Sequence, residues 1–204
     1  KKRKFKRMKN KNYNFSLAEE MVISVEEGLK GIFNERSNQI YYKLDNILKI
    51  FKEEKVSTSH FNQSTGSGHD DLSRQKIDEV FAKFFLAEKS AVRMQFVSGT
   101  HAISSVLFGI LRPGDLMLSV TGTPYDTLEE VIGIRGKGKG SLLDLGVEYR
   151  QISIDEKINS YEDKLVDFFN NNKCKLVFIQ KSCGYSWRKS LNNNQIKQIC
   201  NLVH

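Results

Sequence analysis

Apolar and polar positions change their rhythm twice along this chain, and the changes mark out its parts. From Leu17, the residues Met21, Val25, Leu29 and Ile32 or Phe33 recur at the spacing of one helix face. Ser16 stands three residues before Glu19, a pattern in which each side chain satisfies the other's exposed backbone N–H, so a helix start is predicted there. Tyr41, Leu44, Ile47 or Leu48, and Phe51 predict a second helix. Both stripes read as packing surfaces rather than ligand sites. Between Val56 and His69 the periodicity gives way to Ser, Thr, Gly, Asn and His, which predicts a loop. A third helix is expected from about Asp71 to Phe85, with Ile77, Val80, Phe81 and Phe84 facing inward.

Beyond it, short apolar runs alternate with helical patterns. Strands are predicted at Val92 to Val97, Leu116 to Val120, Val147 to Ile154 and Leu176 to Ile179. Helices are predicted at Ala102 to Leu111, Leu128 to Ile134, Tyr161 to Phe169 and from Asn193 to Val203. Arg112-Pro113-Gly114-Asp115 reads as a turn, because proline fixes φ and glycine permits the reversal. Strand and helix in alternation imply parallel pairing through crossover helices. The fold class is α/β: N-terminal helices, then a mainly parallel sheet. Three segments are expected: residues 1–12 as a basic tail, 13–55 as a helical segment and 56–204 as an α/β domain.

Charge changes this picture only at one end. The net charge is +8, yet residues 1–12 hold eight basic residues and no acid; taking these from the chain's 32 leaves 24, equal to the 24 acidic residues. The body is neutral, so nucleic-acid binding could work only through the tail. The tail reads equally as translated leader or disordered extension, with native protein starting at Met8. No apolar run reaches the roughly eighteen residues of a membrane span, and no apolar stretch follows the basic start as a secretory signal requires. Cys174, Cys183 and Cys200 are odd in number and lack the close pairs of a zinc site, so no metal is expected and a reducing cytoplasm is.

In open α/β sheets, ligands gather at the carboxyl ends of strands. The first such end is Ser98-Gly99-Thr100-His101, leading into an apolar helix. Free N–H groups at a helix start suit a phosphate, Gly99 lets the backbone approach, and Ser98 and Thr100 add hydroxyls. Locally, a capping role for Ser98 or Thr100 is the commoner one, and His101 reads as a packed or solvated histidine. The second end, Thr121 to Thr127, places Tyr125 in a Gly/Pro loop where its ring could stack on a flat cofactor; the plainer reading is a turn with Asp126 capping a helix. The third end, Ser182 to Arg188, is aromatic and basic and reads as one wall of a pocket. Gly136 to Ser141 imitates a phosphate loop but fails its spacing: Gly140 follows Gly138-Lys139 where Ser or Thr is needed, so a mobile surface loop is expected.

The runs STGSGHDDLSRQKIDEVFA, VRMQFVSGTHAISSVLFGILRPGD, TGTPYDTLEEVIGIRG and FIQKSCGYSWRKSL together resemble successive blocks of the aluminium-resistance family. The resemblance spans roughly residues 55–204, and VSGTHA with RPGD and GTPYDTLEEVIG are distinctive in combination. That family is similar to methionine γ-lyase and the cystathionine lyases, with the aspartate-aminotransferase type of fold. The resemblance implies pyridoxal 5'-phosphate as cofactor, an amino-acid substrate, carbon–sulfur lyase chemistry and a homo-oligomer. It implies that Gly99 and Thr100 offer N–H groups to the phosphate with Ser98 beside them, and that Tyr125 lies over the pyridine ring. Asp126 and Thr127 would hold that loop in shape, and Gly66 to Arg74 would reach towards a neighbouring subunit's cofactor. The chain departs from the family at Ser67 and His69, where two tyrosine rings are usual, and at Cys183, where a basic residue is usual.

Such enzymes also need a lysine that holds the cofactor and a carboxylate against its ring nitrogen. In the family both follow the GYSWR block, in Lys-Asn and Asp-Asn contexts, which leaves Lys181 and Lys189 out of contention. The sequence stops at His204 before such blocks, so the chain reads as an inactive N-terminal fragment with no catalytic residue of its own. Two rival readings stay open: a non-catalytic module binding another phosphate ligand, and nucleic-acid binding through the tail.

Overall fold

The computed structural model describes residues 15–63, 71–136, 139–154, 158–184 and 187–203. The basic tail, Met8 and the stretch from Gly66 to Asp70 lie outside the described residues. The chain divides into two compact units, parted between Arg93 and Met94.

The first unit is helical. Helix α1, Phe15–Glu53, runs 39 residues without a break where the sequence predicts two helices. Across the polar stretch between the two stripes, Arg36 Nη1 donates to Gln39 Oε1 at 3.1 Å and Gln39 Nε2 to Glu35 Oε1 at 3.2 Å. Pairs three and four residues apart support a helix without any apolar face, and no proline interrupts it. The helix already includes Phe15, so Ser16 lies inside its first turn rather than at the cap. The expected packing role of its first stripe is not met within the chain: Met21 and Val25 are 62% and 59% exposed.

Among the described residues, the far end of α1 is the part that packs against another helix. There Ile47, Ile50 and Phe51 line an apolar groove with Ile77, Val80, Phe81 and Phe84 of α2, Leu72–Phe84. Asp71 caps α2 by accepting the Arg74 N–H at 3.1 Å. Lys83 ties the two helices by pairing with Glu54 at 2.8 Å and Glu53 at 3.0 Å.

The strand predicted at Val92 to Val97 does not form; the described backbone there is irregular. Val92 N–H donates to Asp78 Oδ1 at 2.7 Å, and both terminal nitrogens of Arg93 reach the same carboxylate at 2.6 Å. A ladder donor is spent on a side chain. Met94 and Val97, apolar by type, are 92% and 82% exposed.

The second unit is a layered α/β structure. Strands β1 (Leu116–Ser119), β2 (Glu148–Gln151) and β3 (Leu176–Phe178) form a parallel sheet in the order β2-β1-β3. All four residues of β1 are buried, as a central strand covered on both faces demands. Met117 packs with Leu107, Leu111, Ile132, Leu142 and Val147, which come from α3 (Gly99–Ile110), α4 (Asp126–Ile132) and the segment before β2. Leu118 and Val120 pack on the other side with Tyr161 and Leu165 of α5 (Ile158–Asn171), Leu191, and Ile199 of α6 (Asn193–Val203). The predicted turn forms as expected, with Gly114 at φ +86° and Asp115 N–H donating to Arg112 O at 2.9 Å. Of the false phosphate loop, residues 137–138 lie outside the described residues. Ser141 at its end is buried, so that end joins the core rather than the surface.

Candidate functional site

Helix α3 starts at Gly99 because Ser98 caps it: Ser98 is extended (φ −157°, ψ 164°) and its Oγ accepts the His101 N–H at 3.0 Å. The capping role weighed from the sequence is therefore the one Ser98 fills. With His101 N–H taken by that oxygen and Ala102 N–H by Ser98 O, the N–H groups of Gly99 and Thr100 have no acceptor among the described residues. A β-carbon placed on Gly99 would meet nothing within 4 Å. The approach to this backbone is open. His101 is exposed, with its ring edge-on to Phe96 at a centroid distance of 5.6 Å.

The second strand end folds against this helix start. Thr100 Oγ1 and Thr127 Oγ1 share a hydrogen bond of 2.7 Å. Tyr125 occupies the cap position of α4, at φ −56° and ψ 144°, so Asp126 is the first helical residue rather than the cap. The Asp126 carboxylate instead accepts the Thr127 N–H at 2.8 Å, which holds the loop. Tyr125 is 38% exposed, leaving part of its ring accessible.

The third end closes the cluster from the other side of β1. Gln180, just past β3, accepts the Tyr125 N–H on Oε1 at 2.8 Å and donates its own N–H to Thr121 Oγ1 at 3.0 Å. Gly184, at φ +56°, lies so close to the Tyr125 ring that a β-carbon there would sit 3.3 Å from Cδ2. Arg188 is committed to the backbone, donating to Gln180 O at 3.1 Å and to Ser182 O. Trp187 is fully exposed, so it does not form the expected pocket wall; Tyr185 and Ser186 lie outside the described residues. From β2, Gln151 Nε2 donates to Thr123 Oγ1 at 3.3 Å. Beneath the loop, the Tyr161 hydroxyl donates to Val120 O, and burial pushes its phenol up to about 12.

The sheet thus brings together the residues singled out in two separate sequence blocks, Ser98, Gly99 and Thr100 with Tyr125. Gly184 belongs to the third strand end singled out in the sequence, whereas Gln180 was not foreseen as a site residue, although it lies in the FIQKSCGYSWRKSL run. Lys181 is turned elsewhere, donating from Nζ to Asn193 Oδ1 at 2.9 Å.

The arrangement can hold a phosphate group at the open start of α3 and present one aromatic ring beside it. No helix among the described residues is long and apolar enough to cross a membrane. The sequence profile of the methionine gamma-lyase family matches residues 18–204. A Listeria monocytogenes structure named as a putative cystathionine beta-lyase involved in aluminum resistance is 38% identical, with a TM-score of 0.82, over 91% of this chain and 47% of its own. A Clostridium novyi structure named as a carbon-sulfur lyase involved in aluminum resistance is 37% identical, with a TM-score of 0.71, over 90% of this chain and 45% of its own. The Bacillus subtilis protein YnbB is 38% identical over 188 residues, which are 92% of this chain and 44% of that protein. The chain spans about half the length of the relatives it matches.

Proposed function

Because this chain belongs to the methionine gamma-lyase family, we propose that it forms the phosphate- and ring-binding part of a pyridoxal-phosphate-dependent carbon–sulfur lyase acting on a sulfur-bearing amino acid. The observation that carries this is the joining of the open start of α3 to the Tyr125 loop through Thr100 and Thr127. Open N–H groups and a helix start suit a phosphate dianion, and a clear approach over Gly99 leaves room for it. The residues therefore fit the cofactor.

When bound, pyridoxal phosphate withdraws electrons from the α-carbon of an attached amino acid, so that a sulfur group can leave from the side chain. Gly99 and Thr100 would bind its phosphate through their N–H groups, with the Ser98 hydroxyl alongside. Tyr125 would stack on its ring, and Asp126 and Thr127 would keep that loop in register with α3. The lysine that holds the cofactor and the carboxylate that faces its ring nitrogen are proposed to come from the part of the family's length these residues do not span. On that reading the 204-residue chain is inactive by itself.

Cys174, Cys183 and Cys200 form no disulfide among the described residues, which accords with a cytoplasmic location. The exposed apolar face of α1 supports a homo-oligomer.

Titrating purified protein with pyridoxal phosphate tests the site. Gly99→Val should weaken binding about tenfold or more by blocking the backbone approach, and Tyr125→Ala by a smaller factor. Unaltered affinity in both variants would move the site elsewhere. Borohydride reduction tests the division of labour: covalent label on a lysine within residues 1–204 would refute it.

A further inference from the structure

We propose that Gln180 is the residue that positions Tyr125 at the cofactor ring; this rests on the pyridoxal-phosphate reading above. Gln180 makes a bond at each of its polar groups. Its Oε1 accepts the Tyr125 N–H at 2.8 Å, and its Nε2 donates to Ser182 O at 3.2 Å. One end of the amide needs an acceptor and the other a donor, so these two partners fix which way the group faces. Its backbone N–H donates to the Thr121 hydroxyl at 3.0 Å, and its carbonyl accepts from Arg188 at 3.1 Å. Thr121 is itself buried at the end of the central strand.

The side chain is thus mounted on a backbone held from both sides, and it grips the residue that carries the ring. The grip falls on the Tyr125 N–H, one atom from its Cα, so it sets where the side chain leaves the loop. Gly184 limits the ring from beside it. Gln180 acts through Tyr125 and has no need to touch ligand. The work needs an acceptor for that N–H, and the donor to Ser182 O keeps the acceptor facing it.

The test uses purified protein titrated with pyridoxal 5'-phosphate. Affinity is read by absorbance, ring orientation by visible circular dichroism per bound cofactor, and the phosphate cradle alone by competition with inorganic phosphate. Gln180→Leu should weaken cofactor binding roughly two- to tenfold, the range an aromatic partner contributes. It should also reduce the dichroism per bound cofactor while leaving the inorganic-phosphate constant unchanged. Gln180→Glu keeps the acceptor for Tyr125 but sets an oxygen against Ser182 O, so it should recover part of the affinity lost in Gln180→Leu. In a Tyr125→Ala background, Gln180→Leu should add no further loss, since both changes act through one ring.

If Tyr125→Ala weakens binding and Gln180→Leu does not, or if the two losses add, the positioning role is overturned and the site reading stands. If the unmodified protein shows no saturable binding, or Tyr125→Ala changes nothing, the site reading falls and this inference falls with it. Should Gln180→Leu fail to fold, Gln180→Glu decides: affinity in that folded variant as low as in Tyr125→Ala overturns the proposal.

Discussion

Asp78 gathers three donors on one carboxylate, the Val92 N–H at 2.7 Å and the two terminal nitrogens of Arg93 at 2.6 Å each. The Arg93 hydrogen bonds, against some opposing desolvation, hold its carboxyl below the ordinary carboxylate range. A folded-state pKa below the unfolded one means that the unfolded chain takes up the proton first in acid. The stabilisation is therefore present above about pH 4 and is lost as pH falls through the folded value. Asp78→Asn should cost about 1–3 kcal/mol at neutral pH, and the gap from the unmodified protein should narrow below about pH 4. Urea unfolding at several pH values checks both the size and the trend. The same residues explain what could be read in advance. Tyr125 was legible because its loop follows the buried strand β1, and Gly99 and Thr100 because they open an apolar helix behind a capping serine. Gln180 was not, because an amide carries no periodicity, and its role exists only through a partner 55 residues away.

Elements were legible where burial alone decides them. β1 is buried throughout and central, and α6 was predicted from Asn193 through Val203, as it is found. Its start is written in Asn192 and Gln195, whose side chains each accept the other's backbone N–H at 2.9 Å. Val92 to Val97 misled because its apolar residues imitate a strand while an acid in α2 claims its donor. The long α1 misled because side-chain pairs on its polar stretch carry the helix onward, a signal invisible to hydrophobic spacing. Between elements, Tyr161 couples α5 to the end of β1 through its hydroxyl. Burial raises both Tyr161 and Tyr149 to about 12, above the roughly 10 of an unfolded tyrosine. The unfolded chain loses these protons first, so stability is full below about pH 10 and is lost as pH rises through 12. Tyr161→Phe should cost about 1 kcal/mol at pH 8 and should reduce the decline between pH 10 and 12. Tyr149 would account for what remains. Denaturant melts at pH 8, 10 and 11 would show whether the curves converge.

At the scale of the molecule, α1 presents Met21, Val22, Val25, Ile32 and Phe33 to solvent, a larger apolar surface than scattered exposed residues produce. If homo-oligomer formation uses this face, replacing Met21 and Val25 together with Glu should shift the purified protein towards monomer by at least one order of magnitude in dissociation constant, about 1.4 kcal/mol. Sedimentation equilibrium measures it, and an unchanged association state would remove α1 from the interface. The cluster at the strand ends has a consequence in time as well as in space. Its bonds span 27 residues between Thr100 and Thr127, 55 between Tyr125 and Gln180, and 59 between Thr121 and Gln180. Closing loops of that length costs chain entropy that no local turn or helix repays early, so such contacts form slowly. The helices of the first unit can form from neighbours in sequence, whereas the cradle exists only after β1 and β3 have found their register. During refolding, helical signal should thus return before the proposed site can retain phosphate. A ligand added at the start would leave the folding rate nearly untouched and slow only the way back.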